Sequence, residues 1–204
     1  MADRETWNER YANKDMVWST EPNRLFAELV ADLAPGRALD LGCGEPQCLD
    51  LAERGWDVTA VDYSDAGIEK ARKLAEHRGV TVDFRVEDVA SIELDARQFD
   101  LVAVVFLHTG AAERDHWLPQ AIDAVADDGT FLYIGHDPSN IESGVGGPRD
   151  PAVLPGADAI SAALAGFTIE RADIYRRPVG EDPGHGATGG GVALDTVVMA
   201  RRGG

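Results

Sequence analysis

The chain is poor in cysteine, lysine and aromatic residues, and it lacks a long apolar run. It has 204 residues, of which two are cysteines and 7% are aromatic. No apolar run approaches the roughly 20 residues of a membrane-spanning helix, and the first residues lack the apolar segment of a signal peptide. Cys43 and Cys48 have no second pair, which excludes a zinc ribbon and a redox C-x-x-C motif. We therefore expect reduced thiols, no metal site, no membrane association and a cytoplasmic protein.

Basic residues are also scarce. The chain has 36 acidic residues and 19 Lys or Arg, so its formal net charge is −17. A field of that sign repels a phosphate backbone, and no basic stripe with interleaved aromatics interrupts it. This balance argues against nucleic acid as a partner and favours a small molecule.

Apolar runs alternate with helical patterns along the whole chain. The predicted strands are 37–41, 56–62, 81–86, 99–107, 129–135, 167–175 and 192–201. The predicted helices are 3–14, 22–33, one that starts near 48, 64–79, 111–125 with a break near Pro119, and 158–164. This alternation predicts an α/β fold, a Rossmann-like doubly wound, mostly parallel seven-stranded sheet with helices on both faces. The last two strands predict an antiparallel C-terminal hairpin at one sheet edge.

Residues 37–62 read as a strand, a tight glycine turn, a helix and a second strand. Gly42 and Gly44 follow the first apolar run, and Asp62 ends the second, 62 − 42 = 20 positions after Gly42. This spacing is typical of a nucleoside-binding βαβ unit. In such a unit the glycines let the main chain approach the ligand, and the acid accepts hydrogen bonds from a ribose.

Three glycine-loop ligands compete for this motif. A phosphate-binding P-loop needs Lys-Ser or Lys-Thr after the loop, where this chain has Pro46-Gln47. A dinucleotide loop needs glycine at position 47, and Pro46 has no N–H to offer a pyrophosphate. S-adenosylmethionine has an adenosine but no phosphate, so a proline is less damaging to its binding.

The motif Asp40-Leu41-Gly42-Cys43-Gly44, with Asp62 and the strand that begins Phe99-Asp100-Leu101-Val102, resembles the class I S-adenosylmethionine-dependent methyltransferases. The chain departs from that pattern at Pro46, where the third glycine would lie. The resemblance extends from Trp7 to Arg201 and is greatest to small bacterial methyltransferases of the tellurite-resistance and thiopurine type. It implies S-adenosylmethionine as cofactor and methyl transfer to a small-molecule acceptor, and we expect a monomer or homodimer.

The same resemblance implies cofactor-binding residues at the ends of the first four strands. They are Asp40, Gly42, Cys43, Gly44, Asp62, Tyr63, Asp88, Val89 and Phe106. Within this set, Asp88 would face the adenine amino group. The alternative, that Asp88 only caps the next turn, has equal weight.

The methyl acceptor is expected at the carboxyl ends of the fourth and fifth strands. The catalytic candidates are His108, His136 and, from the leader, Tyr11, and the substrate candidates are Trp18 and Asp137. His108 is the simplest general base because imidazole titrates near neutral pH. The alternative is that each histidine only satisfies a loop carbonyl. Neighbouring strand residues point to opposite faces, so His136 and Asp137 are not expected to pair with each other.

We expect one domain over 1–204 with four parts. They are a helical lid (1–35), a cofactor-binding core (36–137), a mobile or functional loop (138–156) and a substrate-side part (157–204). The leader has a second interpretation as plain packing. Two other functions stay open: a protein that binds S-adenosylmethionine without methylating, and, less favoured because Tyr-x-x-x-Lys is absent, an NAD-dependent oxidoreductase.

Overall fold

The computed structural model describes residues 4–12, 21–44, 47–180 and 190–204, without the side chains of 10–12. The strands are β1 (Arg37–Leu41), β2 (Asp57–Asp62), β3 (Asp83–Val86), β4 (Phe99–Val105), β5 (Val125–His136), β6 (Phe167–Val179) and β7 (Gly191–Arg202). The helices are α1 (Arg4–Ala12), α2 (Arg24–Val30), α3 (Gln47–Glu53), α4 (Asp65–Arg78), α5 (Ala111–Asp123), α6 (Asn140–Ser143) and α7 (Ala157–Ala163). A 3-10 turn spans Pro151–Val153.

The seven strands form one sheet in the order β3-β2-β1-β4-β5-β7-β6. Pairing is parallel from β3 through β5, and β7 is antiparallel to both of its neighbours. The predicted fold class is therefore confirmed, including the antiparallel hairpin at the edge. The chain order reverses between β1 and β4, and ligands of such sheets bind outside the strand ends at that point.

Strand β4 lies at the centre of two apolar layers. Leu101 and Ala103 face one layer together with residues of α2, α3 and α4, and Val102 and Val104 face the other together with residues of α5 and α7. A strand buried on both faces reads as a continuous apolar run, as this one does. The run positions the end of β4 in the middle of the ligand-binding edge.

Helix α4 begins and ends where the sequence predicts. Ser64 accepts a hydrogen bond from the Gly67 N–H, and Gly79 closes the helix in the left-handed conformation. The predicted start of α2 at Pro22 is wrong. Asn23 caps this helix by accepting the Phe26 N–H at 3.0 Å, so its first residue is Arg24.

The boundary between α5 and β5 also differs from the prediction. Helix α5 continues through Pro119 and ends at Asp123, and Val125 already belongs to β5, where it pairs with Phe99. A register irregularity in the β4–β5 pairing and a positive φ at Asp128 (+60°) let the strand start early. Residues 121–125, four of which are apolar, fit either element, so the sequence pattern alone could not place the change.

Strand β4 stops two residues early, at Val105, because Phe106 takes a positive φ of +55°. The span 138–156 contains α6 and the 3-10 turn rather than only irregular chain. Within the described ranges, no helix is both long enough and apolar enough to cross a membrane.

Candidate functional site

The glycine turn after β1 brings main chain to the centre of the ligand-binding edge. Gly42 and Gly44 have φ values of +77° and +54°, which side chains disfavour. A Cβ on Gly42 would lie 2.9 Å from Leu107 Cδ1, in the segment that follows β4. Glycine at 42 therefore serves both the turn and the close approach of these two segments.

Asp62 at the end of β2 is tied to this turn. Its Oδ2 accepts the Gly44 N–H at 3.0 Å, and its Oδ1 accepts the Ser64 N–H at 2.9 Å. Burial raises the pKa of Asp62, and the main-chain donors at Ser64 and Gly44 oppose that rise. Each carboxylate oxygen has a further lone pair, so Asp62 can also accept a hydroxyl donor.

Asp40 at the end of β1 is the most unusual group of the site. Its side chain is buried, and neither carboxyl oxygen has a regular hydrogen-bond partner among the described residues. Burial, with a smaller contribution from the charge of Asp62, raises the pKa of Asp40 to about 7, and the main chain of Cys48 opposes the rise. A buried carboxyl of this kind favours a cation as its neighbour.

The other predicted cofactor residues lie along the same edge in different settings. Cys43 is buried in the turn, where its hydrogen bond to Cys48 and burial raise the pKa of its thiol. Tyr63 is half-buried directly after Asp62, and Val89 is buried against the apolar layer beneath α5. Asp88 is exposed, and its Oδ1 accepts the Ala90 N–H at 2.9 Å, so it caps the turn after β3.

A group of five side chains, which we call the histidine cluster, lies at the ends of β4, β5 and β6 and the start of β7. Its members are Phe106, His108, His136, Arg177 and Asp195. The His108 and His136 rings stack with an interplanar angle of 11° and centroids 5.3 Å apart. The Phe106 ring lies 5.1 Å from His136, and the Arg177 guanidinium lies over Phe106 at 5.3 Å.

His108 is held as an acceptor. The His136 main-chain N–H donates to its Nε2 at 3.2 Å, so the proton of the neutral ring is on Nδ1. Burial and the neighbouring His136 lower the pKa of His108 to about 3. His108 is therefore neutral across the physiological range, and the lone pair that a general base would use is already occupied.

His136 faces a buried ion pair. Its Nδ1 lies 3.0 Å from Asp195 Oδ1, although the N–H is not well aligned with that oxygen. Asp195 Oδ2 accepts Arg177 Nε at 2.6 Å, and Oδ1 accepts Nη2 at 3.4 Å. Burial alone would raise the pKa of Asp195, but the neighbouring Arg177 and His136 side chains lower it.

A short loop closes over His136. A Cβ on Gly147, whose φ is +73°, would lie 2.5 Å from His136 Cδ2. Asn140 holds this loop in place, because its Oδ1 accepts the Leu194 N–H at 2.8 Å and its Nδ2 donates to Gly146 O at 3.0 Å. Part of the span predicted as mobile is thus fastened to β7.

Asp137 turns away from His136, as alternation along a strand predicts. It accepts Ser139 N and Oγ at 2.9 and 2.6 Å and Thr196 Oγ1 at 2.7 Å. These contacts hold the chain at the start of α6. Asp137 thus lies beside the histidine cluster without contacting its rings.

The leader is described only in part. Trp18 lies outside the described residues, and Tyr11 lies in α1 with its side chain outside them. Helix α1 contacts the start of α4, where Asn8 Oδ1 accepts Ser64 Oγ at 2.6 Å. This contact places α1 next to the residues that follow Asp62.

Sequence reasoning missed four residues that lie in or beside the histidine cluster: Asn140, Gly147, Arg177 and Asp195. One signal was present, because Asp195 interrupts the apolar run from Val192 to Met199. Nothing in the sequence paired it with Arg177 across a hairpin. Among the described residues, no three His, Cys, Asp or Glu side chains are grouped as metal ligands.

Residues 38–129, a little under half of the chain, match the family model of a methyltransferase domain. The ubiquinone biosynthesis O-methyltransferase of Methylocella silvestris is 39% identical over 67 residues, which are 32% of this chain and 26% of the relative. The chain thus spans about a quarter of the length of this curated relative.

Solved structures match over almost the whole chain. One, from work on the conversion of a disulfide bond into a thioacetal group during echinomycin biosynthesis, has a TM-score of 0.76 at 22% identity, over 98% of this chain and 93% of that one. TehB from Haemophilus influenzae has a TM-score of 0.71 at 14% identity, over 98% and 66%. The 1,6-didemethyltoxoflavin-N1-methyltransferase of Burkholderia thailandensis, with bound 1,6-didemethyltoxoflavin and S-adenosylhomocysteine, has a TM-score of 0.70 at 22% identity, over 98% and 87%.

The family model and the solved structures match the parts of the chain that form the sheet and the glycine turn. The segment matched by the family model contains β1 to β4, with the glycine turn, Asp40 and Asp62, and the structural matches extend over the rest of the sheet. Residues 38–129 are therefore similar to a methyltransferase domain, and the sheet as a whole has the fold of these solved structures.

Proposed function

We propose that this chain transfers a methyl group from S-adenosylmethionine to a small-molecule acceptor. The observation that carries the proposal is the joining of two unlike sites at one sheet edge. Buried acids lie beneath the glycine turn on one side of the reversal in strand order, and the histidine cluster lies on the other. A donor of positive charge fits the first site, and an acceptor that must lose a proton fits the second.

The residues on the cofactor side fit S-adenosylmethionine. Asp62 would accept the ribose hydroxyls with its remaining lone pairs, and the unpartnered carboxyl of Asp40 suits the positive end of the molecule. Tyr63, Cys43, Val89 and Phe106 would line the remaining surface, and Asp88 would reach the adenine while it caps its turn. When bound, the cofactor supplies a methyl group on a sulfonium, and the bonding electrons leave with S-adenosylhomocysteine.

His136 is better placed than His108 to take a proton. Its Nδ1 faces a carboxylate, so the proton of the neutral ring belongs on Nδ1 and the lone pair on Nε2. The corresponding lone pair of His108 is occupied by a main-chain donor. We assign His136 as the general base, His108 as the residue that holds its backbone and ring, and Asp137 a structural role beside them.

The leader would cover the acceptor. Its first helix contacts the start of α4 beside the cofactor acids, which supports a lid formed by 1–35 with Tyr11 and Trp18 as substrate contacts. We further infer a cytoplasmic enzyme of the methyltransferase class, a monomer or homodimer, that does not act on nucleic acid. The net charge of −17 supports the last point.

Calorimetry tests the cofactor half of this proposal. The protein is titrated with S-adenosylmethionine, with S-adenosylhomocysteine and with NAD. We expect binding of the first two and none of NAD. Binding of NAD alone would make the chain an oxidoreductase. Binding of S-adenosylmethionine without any formation of S-adenosylhomocysteine across an acceptor panel would make it a binding protein that does not methylate.

A further inference from the structure

Four members of the histidine cluster form a closed ring of contacts. The Arg177 guanidinium lies over Phe106, Phe106 packs on His136, His136 faces Asp195, and Asp195 binds Arg177. Arg177 and Asp195 come from the facing ends of β6 and β7, eighteen residues apart in the chain. The side chains of this ion pair are 6% and 1% exposed, so the pair is almost completely buried.

One hydrogen-bond donor in this ring of contacts has no partner among the described residues. Arg177 uses Nε and Nη2 on Asp195, whereas Nη1 is shielded from solvent and has no partner among the described residues. A buried donor on a charged group is costly when it is unpaired. Asp195 cannot satisfy it, because both of its oxygens already face Arg177 and His136.

The same ring of contacts also contains one hydrogen-bond acceptor. Since Nδ1 of His136 faces Asp195, the lone pair of the imidazole is on Nε2. The ion pair is neutral as a whole, and His108 is neutral beside it. The cluster thus offers one donor and one acceptor on adjoining side chains, without a net charge that would select an anion.

We propose that these two atoms select the methyl acceptor, a molecule in which the O–H or N–H to be methylated lies next to a carbonyl oxygen, an ether oxygen or a ring nitrogen. The O–H or N–H donates a hydrogen bond to His136 Nε2, and the neighbouring oxygen or nitrogen accepts a hydrogen bond from Arg177 Nη1. In the reaction the acceptor's proton moves to His136, Asp195 stabilises the imidazolium, and the freed lone pair forms the new bond to the methyl carbon. The proton then passes to solvent. This inference rests on the proposed function and deepens it.

Isomer pairs test the spacing directly. 2-Pyridone has its N–H next to the carbonyl, and 4-pyridone has the same groups on opposite sides of the ring. 2-Methoxyphenol and 4-methoxyphenol give the same comparison for O–H and an ether oxygen. Each compound is titrated by calorimetry into the protein saturated with S-adenosylhomocysteine. Only the vicinal isomer can make the second hydrogen bond, to the charged Arg177 side chain. We therefore expect it to bind about tenfold more tightly than the other isomer.

The variant Arg177→Lys connects the preference to Nη1. It keeps a cation for Asp195 but loses the planar fork, so the isomer ratio should fall to about one while S-adenosylhomocysteine binds as in the wild type. That second measurement also shows that the variant is folded. The matched control, Arg176→Lys, changes the exposed neighbour on β6 and should keep the wild-type ratio.

Each other outcome overturns the inference. A ratio near one in the wild type, or no binding of either pair up to the solubility limit, would mean that Nη1 serves another group. An unchanged ratio in Arg177→Lys would remove Arg177 from the site. If S-adenosylhomocysteine binds in these cases, the proposed function stands and only the acceptor class fails; if it does not bind, the proposed function itself has failed.

Discussion

The two halves of the ligand-binding edge are built in opposite ways. The proposed cofactor half comes from residues 40–62, a short segment of the chain, and its central acid, Asp40, is buried without an ion-pair partner among the described residues. The proposed acceptor half joins residues between 106 and 195, and its central acid, Asp195, has both oxygens engaged. In this proposal the first half leaves a carboxyl for a cation, whereas the second half is paired in advance and orients a base.

The difference is also one of protonation. The pKa of Asp40 is raised to about 7, and that of Asp195 is lowered, although both side chains are almost completely buried. Neighbours, not burial, separate them: Asp195 has a guanidinium and an imidazole, while Asp40 has another carboxylate. Each prediction below removes or weakens one side of this contrast.

The largest effect is expected for Asp195→Asn. The variant leaves the Arg177 charge buried without its carboxylate, so the free energy of unfolding should fall by about 3–5 kcal/mol, measured by urea denaturation. The control, Asp173→Asn, breaks the Arg171–Asp173 ion pair on β6, where the Asp173 side chain is 53% exposed. It should cost under about 1 kcal/mol. Equal losses in the two variants would show that the buried pair has no special weight.

Asp40→Asn should change stability in the opposite direction. The pKa of Asp40 is about 7 in the folded protein, against 3.8 for an ordinary aspartate, which we take for the unfolded chain. Between these pH values the folded protein binds a proton that the unfolded chain has released. Stability therefore falls as pH rises from about 4 to 7, by up to about 4 kcal/mol at 1.4 kcal/mol per pKa unit. The variant should be more stable than the wild type at pH 7 and lose this slope.

Urea denaturation at several pH values between 4 and 8 checks the Asp40 prediction. The control Asp57→Asn changes an exposed acid at the other end of β2 and should keep the wild-type slope. A slope that persists in Asp40→Asn would assign the titration to another buried group.

A smaller effect is expected for Asp62→Ala. Removal of this carboxylate withdraws the acceptor that is proposed for the ribose, so the affinity for S-adenosylhomocysteine should fall by about 1–3 kcal/mol in calorimetry. Asp57→Ala, at the exposed start of the same strand, should bind as the wild type does. An unchanged dissociation constant in Asp62→Ala would remove this residue from the cofactor site.

The smallest effect on stability is expected for Gly147→Ala. Its positive φ costs an alanine about 1–2 kcal/mol, and the new Cβ would press on the His136 ring. Gly55→Ala is the matched control, because its φ is +88° and nothing lies within 4 Å of the added carbon. Both variants should lose stability, Gly147→Ala somewhat more because its Cβ meets the ring, and only Gly147→Ala should shift the NMR signals of the His136 ring. Unshifted signals would show that the loop does not hold the ring.

The fold was predictable because it depends on local pattern. The alternation of apolar runs with helical periods fixes the strand and helix order, and the glycine turn and Asp62 lie within one βαβ unit. Boundaries such as the α5–β5 junction were misplaced, since residues 121–125, four of which are apolar, satisfy both periods. The roles assigned to the cofactor residues and the histidines stay predictions, and the stacking of His108 on His136 could not be predicted because it depends on how β4 and β5 pair.

What the amino-acid sequence determined by itself is therefore the doubly wound sheet, the glycine turn and the acids that end β1 and β2. What only the tertiary structure decided is the histidine cluster. Arg177 meets Asp195 because the β6–β7 hairpin pairs their strands, His136 meets Asp195 because β5 pairs with β7, and Gly147 reaches His136 because Asn140 fastens a distant loop. Contacts between residues far apart in the chain follow from packing, and no local spacing encodes them.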